Sequence, residues 1–193
     1  MRPRMYIVAG PPGSGKSTAF PVSGFGLEFF NADDRAAQLN QGSYRGIPQS
    51  IRDQVNRQFE SFVNDCIGRR ASFALETTLR SSMTFDQAET ARREGFFIEM
   101  HYLALTNFAQ HVERVKIRAD KQGHSAPESV LRGIYDSSLR NLARAIREMD
   151  AIAVYDNGEQ DTVPRVLLQA EGGHVVYIAG QHPEWLEKAL TDV

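Results

Sequence analysis

Gly10-Pro11-Pro12-Gly13-Ser14-Gly15-Lys16-Ser17 decides how the rest of the chain is read. It has the spacing G-x-x-x-x-G-K-S and follows directly on the apolar run Met5-Tyr6-Ile7-Val8-Ala9. This context predicts a strand ending at Ala9 and a helix starting near Lys16, with the loop at the helix N-terminus. Backbone N–H groups of Gly13, Ser14, Gly15 and Lys16 can then converge on one anion, and the glycines admit backbone angles closed to other residues. Lys16 can reach the β- and γ-phosphates of a nucleotide, and the Ser17 hydroxyl can ligate Mg2+. The expected nucleotide-binding set is Gly10, Pro11, Pro12, Gly13, Ser14, Gly15, Lys16, Ser17 and Thr18, with ATP and Mg2+ as cofactors and Ser17 as the metal ligand.

Outward from the loop, strand and helix patterns alternate. Residues 17–20 open a short helix before Pro21, and 27–31 read as a second strand ending in Asn31-Ala32-Asp33-Asp34. A short helix follows to about residue 39, then a loop over 40–48 marked by Gly42, Gly46 and Pro48. Ile51, Val55, Phe59, Phe62, Val63 and Ile67 recur at helical spacing, with Ser50 and Asp53 as a capping pair. Residues 72–76 form a third strand, 82–94 a helix stopped at Gly95, 96–105 a fourth strand and 107–118 a helix. A polar segment spans 119–125. Ser125-Ala126-Pro127-Glu128 reads as a capping box, opening a helix with Leu131, Tyr135, Leu139, Leu142 and Ile146 on one face. Residues 151–155 are a fifth strand, Glu171-Gly172-Gly173 turns a hairpin, and 183–190 close as a short helix with Trp185 in the core. The pattern predicts an α/β fold: a five-stranded, mainly parallel sheet flanked by helices, plus a C-terminal hairpin and short helix. We expect one domain over residues 1–193, with a lid region at about 114–135.

Bulk properties narrow the function classes. A chain of 193 residues, 41% hydrophobic and 24% charged, can bury a sizeable core without covalent staples. A net charge of −2 disfavours nucleic acid as a general partner. The single cysteine, Cys66, cannot form an internal disulfide, which fits a reducing compartment. The apolar run after the basic N-terminus is too short for a signal segment, and no stretch reaches membrane-spanning length. A cytoplasmic location without membrane association is therefore expected.

In a parallel α/β sheet, ligands bind at the carboxyl ends of the strands. Three ends carry chemistry here: the loop, Asp33-Asp34, and Glu76-Thr77-Thr78. Phosphoryl transfer needs a phosphate cradle with metal, a carboxylate to take the proton of the attacking hydroxyl, and cations for the transferred group. Asp33 comes first after its strand and is the expected base, although two acids also suit a plain helix start. Glu76 ends an apolar strand, as an acid near Mg2+ through water or as a holder of the acceptor. Thr77 and Thr78 can hydrogen-bond a polyhydroxy substrate or simply cap the next turn. Arg114, Arg118 and Lys121 share one side of a helix, either as a solvated face or as a lid over the nucleotide. His101 and His124 read as structural, and the histidines with Cys66 form no triad or metal-ligand spacing.

Taken in order, Gly10 to Ser17, Asn31-Ala32-Asp33, Phe73-Ala74-Leu75-Glu76-Thr77-Thr78-Leu79, Arg114 to Arg118, Gly123-His124, Ser138-Leu139-Arg140-Asn141-Leu142 and Tyr155-Asp156-Asn157 resemble the zeta toxin family of P-loop kinases, in its compact stand-alone form. The resemblance covers about residues 5–158. It implies ATP-dependent phosphorylation of a sugar hydroxyl on UDP-N-acetylglucosamine and a cognate antitoxin as partner. It also implies Lys16 on the phosphates, Ser17 on the metal, Asp33 as base, Glu76, Thr77 and Thr78 on the acceptor, and lid arginines on the moving group. Many relatives carry paired arginines after the Gly-His loop; here that place reads Arg132-Gly133-Ile134-Tyr135, so Arg132 is the nearest match and joins Lys16, Asp33 and Arg118 as a catalytic candidate.

Other readings share parts of this chemistry. A kinase for a nucleoside, polyol or antibiotic would keep Asp33 and change only the acceptor pocket. A nucleotide-dependent switch or ATPase is the reading of another class, but the chain has no N-K-x-D segment and no Ser-Gly-Gly-Gln-like signature.

Overall fold

The apolar run at 97–104 shows why the sheet forms where it does. In the computed structural model, which describes residues 2–122, 126–159 and 163–191, this run is strand β4 (Phe97–Ala104). Its pleat sends Ile98, Met100, Tyr102 and Ala104 into the main core, with Glu99 and His101 on the opposite face. β4 pairs in parallel with β1 (Arg4–Ala9), and β1 pairs on its other side with β3 (Phe73–Thr77). β2 (Glu28–Phe30) extends the sheet beyond β3, and β5 (Ala151–Asp156) extends it beyond β4.

The hairpin expected as a separate appendage is part of the same sheet. β6 (Arg165–Glu171) runs antiparallel to β5, and β7 (His174–Ile178) runs antiparallel to β6, giving the order β2-β3-β1-β4-β5-β6-β7. The sheet thus has seven strands in place of the five expected. Leu167, Leu168 and Ala170 are buried in the main core, which gives β6 its reason to join.

The helices are α1 (Lys16–Ala19), α2 (Ala32–Leu39), α3 (Gln49–Gly68), α4 (Met83–Arg93), α5 (Phe108–Gln122), α6 (Glu128–Glu148) and α7 (Glu184–Thr191), with a 3-10 turn at Val22–Phe25. α3, α4, α6 and α7 pack on the main core, whereas on the other sheet face Val8, Ala74 and Leu103 cluster with Val22, Ala19 and Phe20 from short elements. Three helix ends differ from expectation. α3 starts at Gln49 after Pro48 without a side-chain cap, so Ser50 and Asp53 are not a capping pair; Gln49 Nε2 donates to Asp53 instead. α5 continues through 119–122, since Ala, Lys and Gln favour helix and their polarity alone does not end one. α6 starts at Glu128 with Pro127 as its flanking residue, and Ser125 of the expected capping box lies outside the described residues.

Register sets the functional rim. Val8 lies beside Glu76, Ala9 beside both Thr77 and Tyr102, and Ala104 beside Asp156, so β1 and β3 end together and β4 and β5 end together two residues further on, at the same edge of the sheet. The chain grows from β1 in both directions, which opens the crevice where α/β sheets take ligands. Among the described residues no helix is long and apolar enough to cross a membrane.

Candidate active site

The loop between β1 and α1 is held from several sides. Gly10 N–H donates to the Thr77 carbonyl at 3.2 Å, fixing the loop's start to the end of β3. Gly10 has φ of 141°, and a Cβ there would stand 2.0 Å from the Leu103 carbonyl oxygen, so this position needs glycine twice over. On the far side Asn157, just past β5, donates its Nδ2 to the Ser14 carbonyl at 2.9 Å. His111, in the first turn of α5, contacts the Pro12 carbonyl through Nδ1 at 2.8 Å.

Inside the loop, Lys16 is 6% exposed and its ammonium donates to the carbonyls of Gly10 and Pro11 at 2.8 and 3.2 Å. Burial lowers its pKa from the ordinary lysine value, with Glu76 and Asp33 acting against that shift and Arg118 reinforcing it. Glu76 Oε1 stands 3.9 Å from the ammonium, and Glu76 Oε2 accepts a hydrogen bond from Ser17 Oγ at 2.9 Å. One buried cation therefore feels two carboxylates and an arginine from three separate elements.

This arrangement fits a nucleotide and its metal. The Ser14 hydroxyl is fully buried inside the loop and has no hydrogen-bond partner among the described residues, as a polar atom that a phosphate oxygen would satisfy. Lys16 supplies a buried positive charge, and the Ser17–Glu76 hydroxyl–carboxylate pair is an oxygen donor set suited to a hard divalent cation. No cluster of three or more His, Cys, Asp or Glu residues suited to a metal exists among the described residues, so a metal here depends on Ser17, Glu76 and phosphate oxygens.

Asp33 and Asp34 open α2 together, and Asn31 Oδ1 accepts from the backbone N–H of each, at 3.1 and 3.2 Å. Their side chains differ. Asp34 accepts the Tyr44 hydroxyl at 2.8 Å, which raises that phenol's pKa, while Asp33 is exposed and acts electrostatically on Lys16.

The turn after Glu76 is strained and supported. Leu79 is buried with φ of 55°, its N–H donates to Thr77 Oγ1 at 3.1 Å, and its carbonyl accepts from Asn141 Nδ2 at 2.9 Å. Thr77 Oγ1 also meets Thr84 Oγ1 at 3.3 Å, so its hydroxyl performs the capping role weighed for it. Thr78 is half-buried beside it.

The cations separate. Arg118 is exposed and acts on Lys16, as above. Arg114 donates to the Gly158 carbonyl at 3.2 Å, close to the loop. Arg132, expected with Arg118 over the nucleotide, instead lies over the Phe108 ring at 3.6 Å and is not among the charges acting on Lys16. An aromatic face at the start of α5 holds its guanidinium by cation–π attraction. Ser17 and Thr18 are exposed at the mouth of the loop. The side chain of Lys121 and all of His124 lie outside the described residues. His101 sits on the sheet face, bonded to Tyr155 and paired with Glu99, away from the loop's contacts.

Sequence reasoning gave no role to two residues. Asn157 stands in the Tyr155-Asp156-Asn157 motif and follows a strand end, so the rule that selected Glu76 also covers it. His111 shares the apolar stripe of Phe108, Val112 and Val115, where a polar residue signals an internal partner.

No family model matches the chain. An uncharacterised protein of Haemophilus influenzae is 23% identical over 136 residues, covering 70% of this chain and 94% of that protein. A chain of the AvrRxo1-ORF1:-ORF2 structure with ATP superposes with a TM-score of 0.68 at 15% identity, over 98% of this chain. The present chain spans 63% of that one's length. A structure from the PezAT chromosomal toxin–antitoxin system of Streptococcus pneumoniae superposes at 0.63 and 14% identity, covering 99% of this chain and 85% of that one. The chain shares the fold of these two structures. At these identities the likeness is one of fold, and it leaves the acceptor to chemistry.

Proposed function

We propose that the chain is an ATP-dependent kinase that transfers the γ-phosphoryl group to a hydroxyl of a small molecule, with nucleotide sugars of the UDP-N-acetylglucosamine type as the acceptor class to test first. One observation carries the reading: a buried loop lysine feels an exposed carboxylate, Asp33, whose oxygens accept no hydrogen bond among the described residues, and a second carboxylate, Glu76, bonded to the loop serine. A phosphate cradle and a free acid within electrostatic reach are what an alcohol phosphotransferase needs.

In this reading Asp33 accepts the proton of the acceptor hydroxyl as its oxygen attacks the γ-phosphorus, and the bond to the departing ADP oxygen breaks. Lys16 and Arg118 balance the negative charge spread over the transferred group. Ser17 and Glu76 would hold Mg2+, which when bound neutralises phosphate charge as a Lewis acid. Glu76 and Thr78 line the acceptor side. A protein antitoxin is the corresponding partner proposal; the PezAT relative in shape comes from such a system.

The test is a panel of hydroxyl acceptors with γ-labelled ATP and the full chain: a UDP-sugar, nucleosides, polyols and an aminoglycoside. Asp33→Asn should keep ATP affinity and lose transfer by at least ~10²-fold, while Asp34→Asn keeps most of it. Loss with Asp34→Asn alone assigns the base to the neighbour, and a wild type that binds ATP without labelling any hydroxyl overturns the kinase reading.

A further inference from the structure

His111 is 2% exposed, and nothing in the transfer chemistry uses it. Its two ring nitrogens face two backbone groups of fixed character. Leu105 N–H, which can only donate, points at Nε2 at 3.0 Å, and the Pro12 carbonyl, which can only accept, faces Nδ1 at 2.8 Å. Only one form satisfies both: the neutral imidazole with its proton on Nδ1. An imidazolium would set N–H against N–H at Leu105, and the other tautomer would fail at both contacts.

The residue joins three parts of the site. Leu105 directly follows β4, Pro12 is in the phosphate loop, and His111 is itself in α5, one turn before Arg114 and two before Arg118. The close approach continues at the backbone: a Cβ on Gly13 would stand 2.7 Å from the His111 carbonyl oxygen and 3.2 Å from Val115 Cγ2. The Tyr135 ring of α6 packs against the imidazole with centroids 5.1 Å apart. We propose that His111 is a positioning residue, a neutral strut that fixes the phosphate loop to β4 and to α5, so that the cradle and the arginine-bearing helix are held in one geometry.

The groups facing it agree. Lys16 from the loop side and Arg114 from its own helix are cationic, and Tyr135 brings no negative charge. Burial first, then those two cations, lower its pKa to about 4, against the raising effect of the Pro12 carbonyl. Between pH ~6.5 and ~4 the unfolded chain therefore binds a proton that the folded chain refuses, and stability falls as pH drops through that window.

The catalytic consequence rests on the kinase reading; the tautomer does not. Imidazole 15N NMR of the full chain should show His111 as the Nδ1–H form from pH ~8 to ~5, and an Nε2–H form or titration near ~6.5 overturns the proposal. His111→Phe keeps the ring against Tyr135 and removes both bonds. It should weaken ATP binding by calorimetry about tenfold, raise the KM for ATP more than it lowers kcat, and abolish the His111 part of the acid destabilisation. His111→Asn, which can still donate toward Pro12, should recover most of that loss. Wild-type ATP affinity in a normally melting His111→Phe variant overturns the strut. Should that variant not fold, the imidazole spectrum decides, because it needs no substitution. A wild type that fails to bind ATP removes the kinase reading and leaves the spectrum to judge the strut by itself.

Discussion

The two ends of the candidate site are built differently. At the phosphate end, Ser14 and Lys16 are buried, and loop carbonyls are taken up by Lys16, His111 and Asn157. At the acceptor end, β2 is a three-residue edge strand, Asp33 and Asp34 are exposed, and Phe29 and Tyr44 leave 43% and 38% of their surface in water. The first end pre-organises a charge that is the same for every nucleotide, so rigidity costs no versatility. The second presents its acids to solvent beside the sheet's edge strand. On the proposed reading, specificity for the acceptor would lie in the region the sheet holds least.

The largest expected effect attacks the rigid end. Lys16→Ala removes the buried ammonium that Glu76 and Asp33 both act on, and leaves the carbonyls of Gly10 and Pro11 without their donor. Turnover of ATP should fall by at least ~10³-fold, measured as kcat/KM with the labelled-phosphate assay. Near-normal turnover would mean that the loop does not hold phosphate, and the contrast between the two ends would lose its basis. The Asp33→Asn substitution probes the looser end and should cost less, because ATP still binds.

How much of this was legible in the sequence depends on the range of the interaction. The loop, the β4 run and the apolar stripe of α6 are local patterns, and each gives an element close to its expected bounds. The joining of β6 to β5 is not local: Asp156 meets Arg165 and Ala151 meets Glu171 only after the chain turns, and nothing within either strand encodes that choice. The same holds for side-chain commitments. Thr77 looks equally free for substrate or for a cap until Leu79 is seen at positive φ, with its N–H needing an acceptor. Arg132 looks like a lid cation until Phe108, 24 positions earlier, is found beneath it. Asp33 is set before Asp34 in sequence only by its place after the strand, whereas the structure adds that Tyr44 bonds Asp34 and that Asp33 acts on Lys16.

The smallest expected effects separate the arginines. Arg118 is exposed and acts on Lys16, so Arg118→Ala should lower the rate of transfer by about 10- to 100-fold while ATP affinity changes little, the mark of a charge that matters most as the phosphoryl group moves. Arg132→Ala should leave the rate within about threefold. Its guanidinium is already engaged over Phe108, at the start of the helix rather than at the turn that carries Arg118. Losing an exposed cation–π contact costs about 0.5–1 kcal/mol, which thermal unfolding detects as a drop of a few degrees at most. Arg132→Lys sharpens the result, since lysine keeps the charge but not the planar stack. If Arg132→Ala cuts transfer as deeply as Arg118→Ala at unchanged melting temperature, the guanidinium must leave Phe108 when nucleotide binds. The start of α6 would then join the nucleotide site.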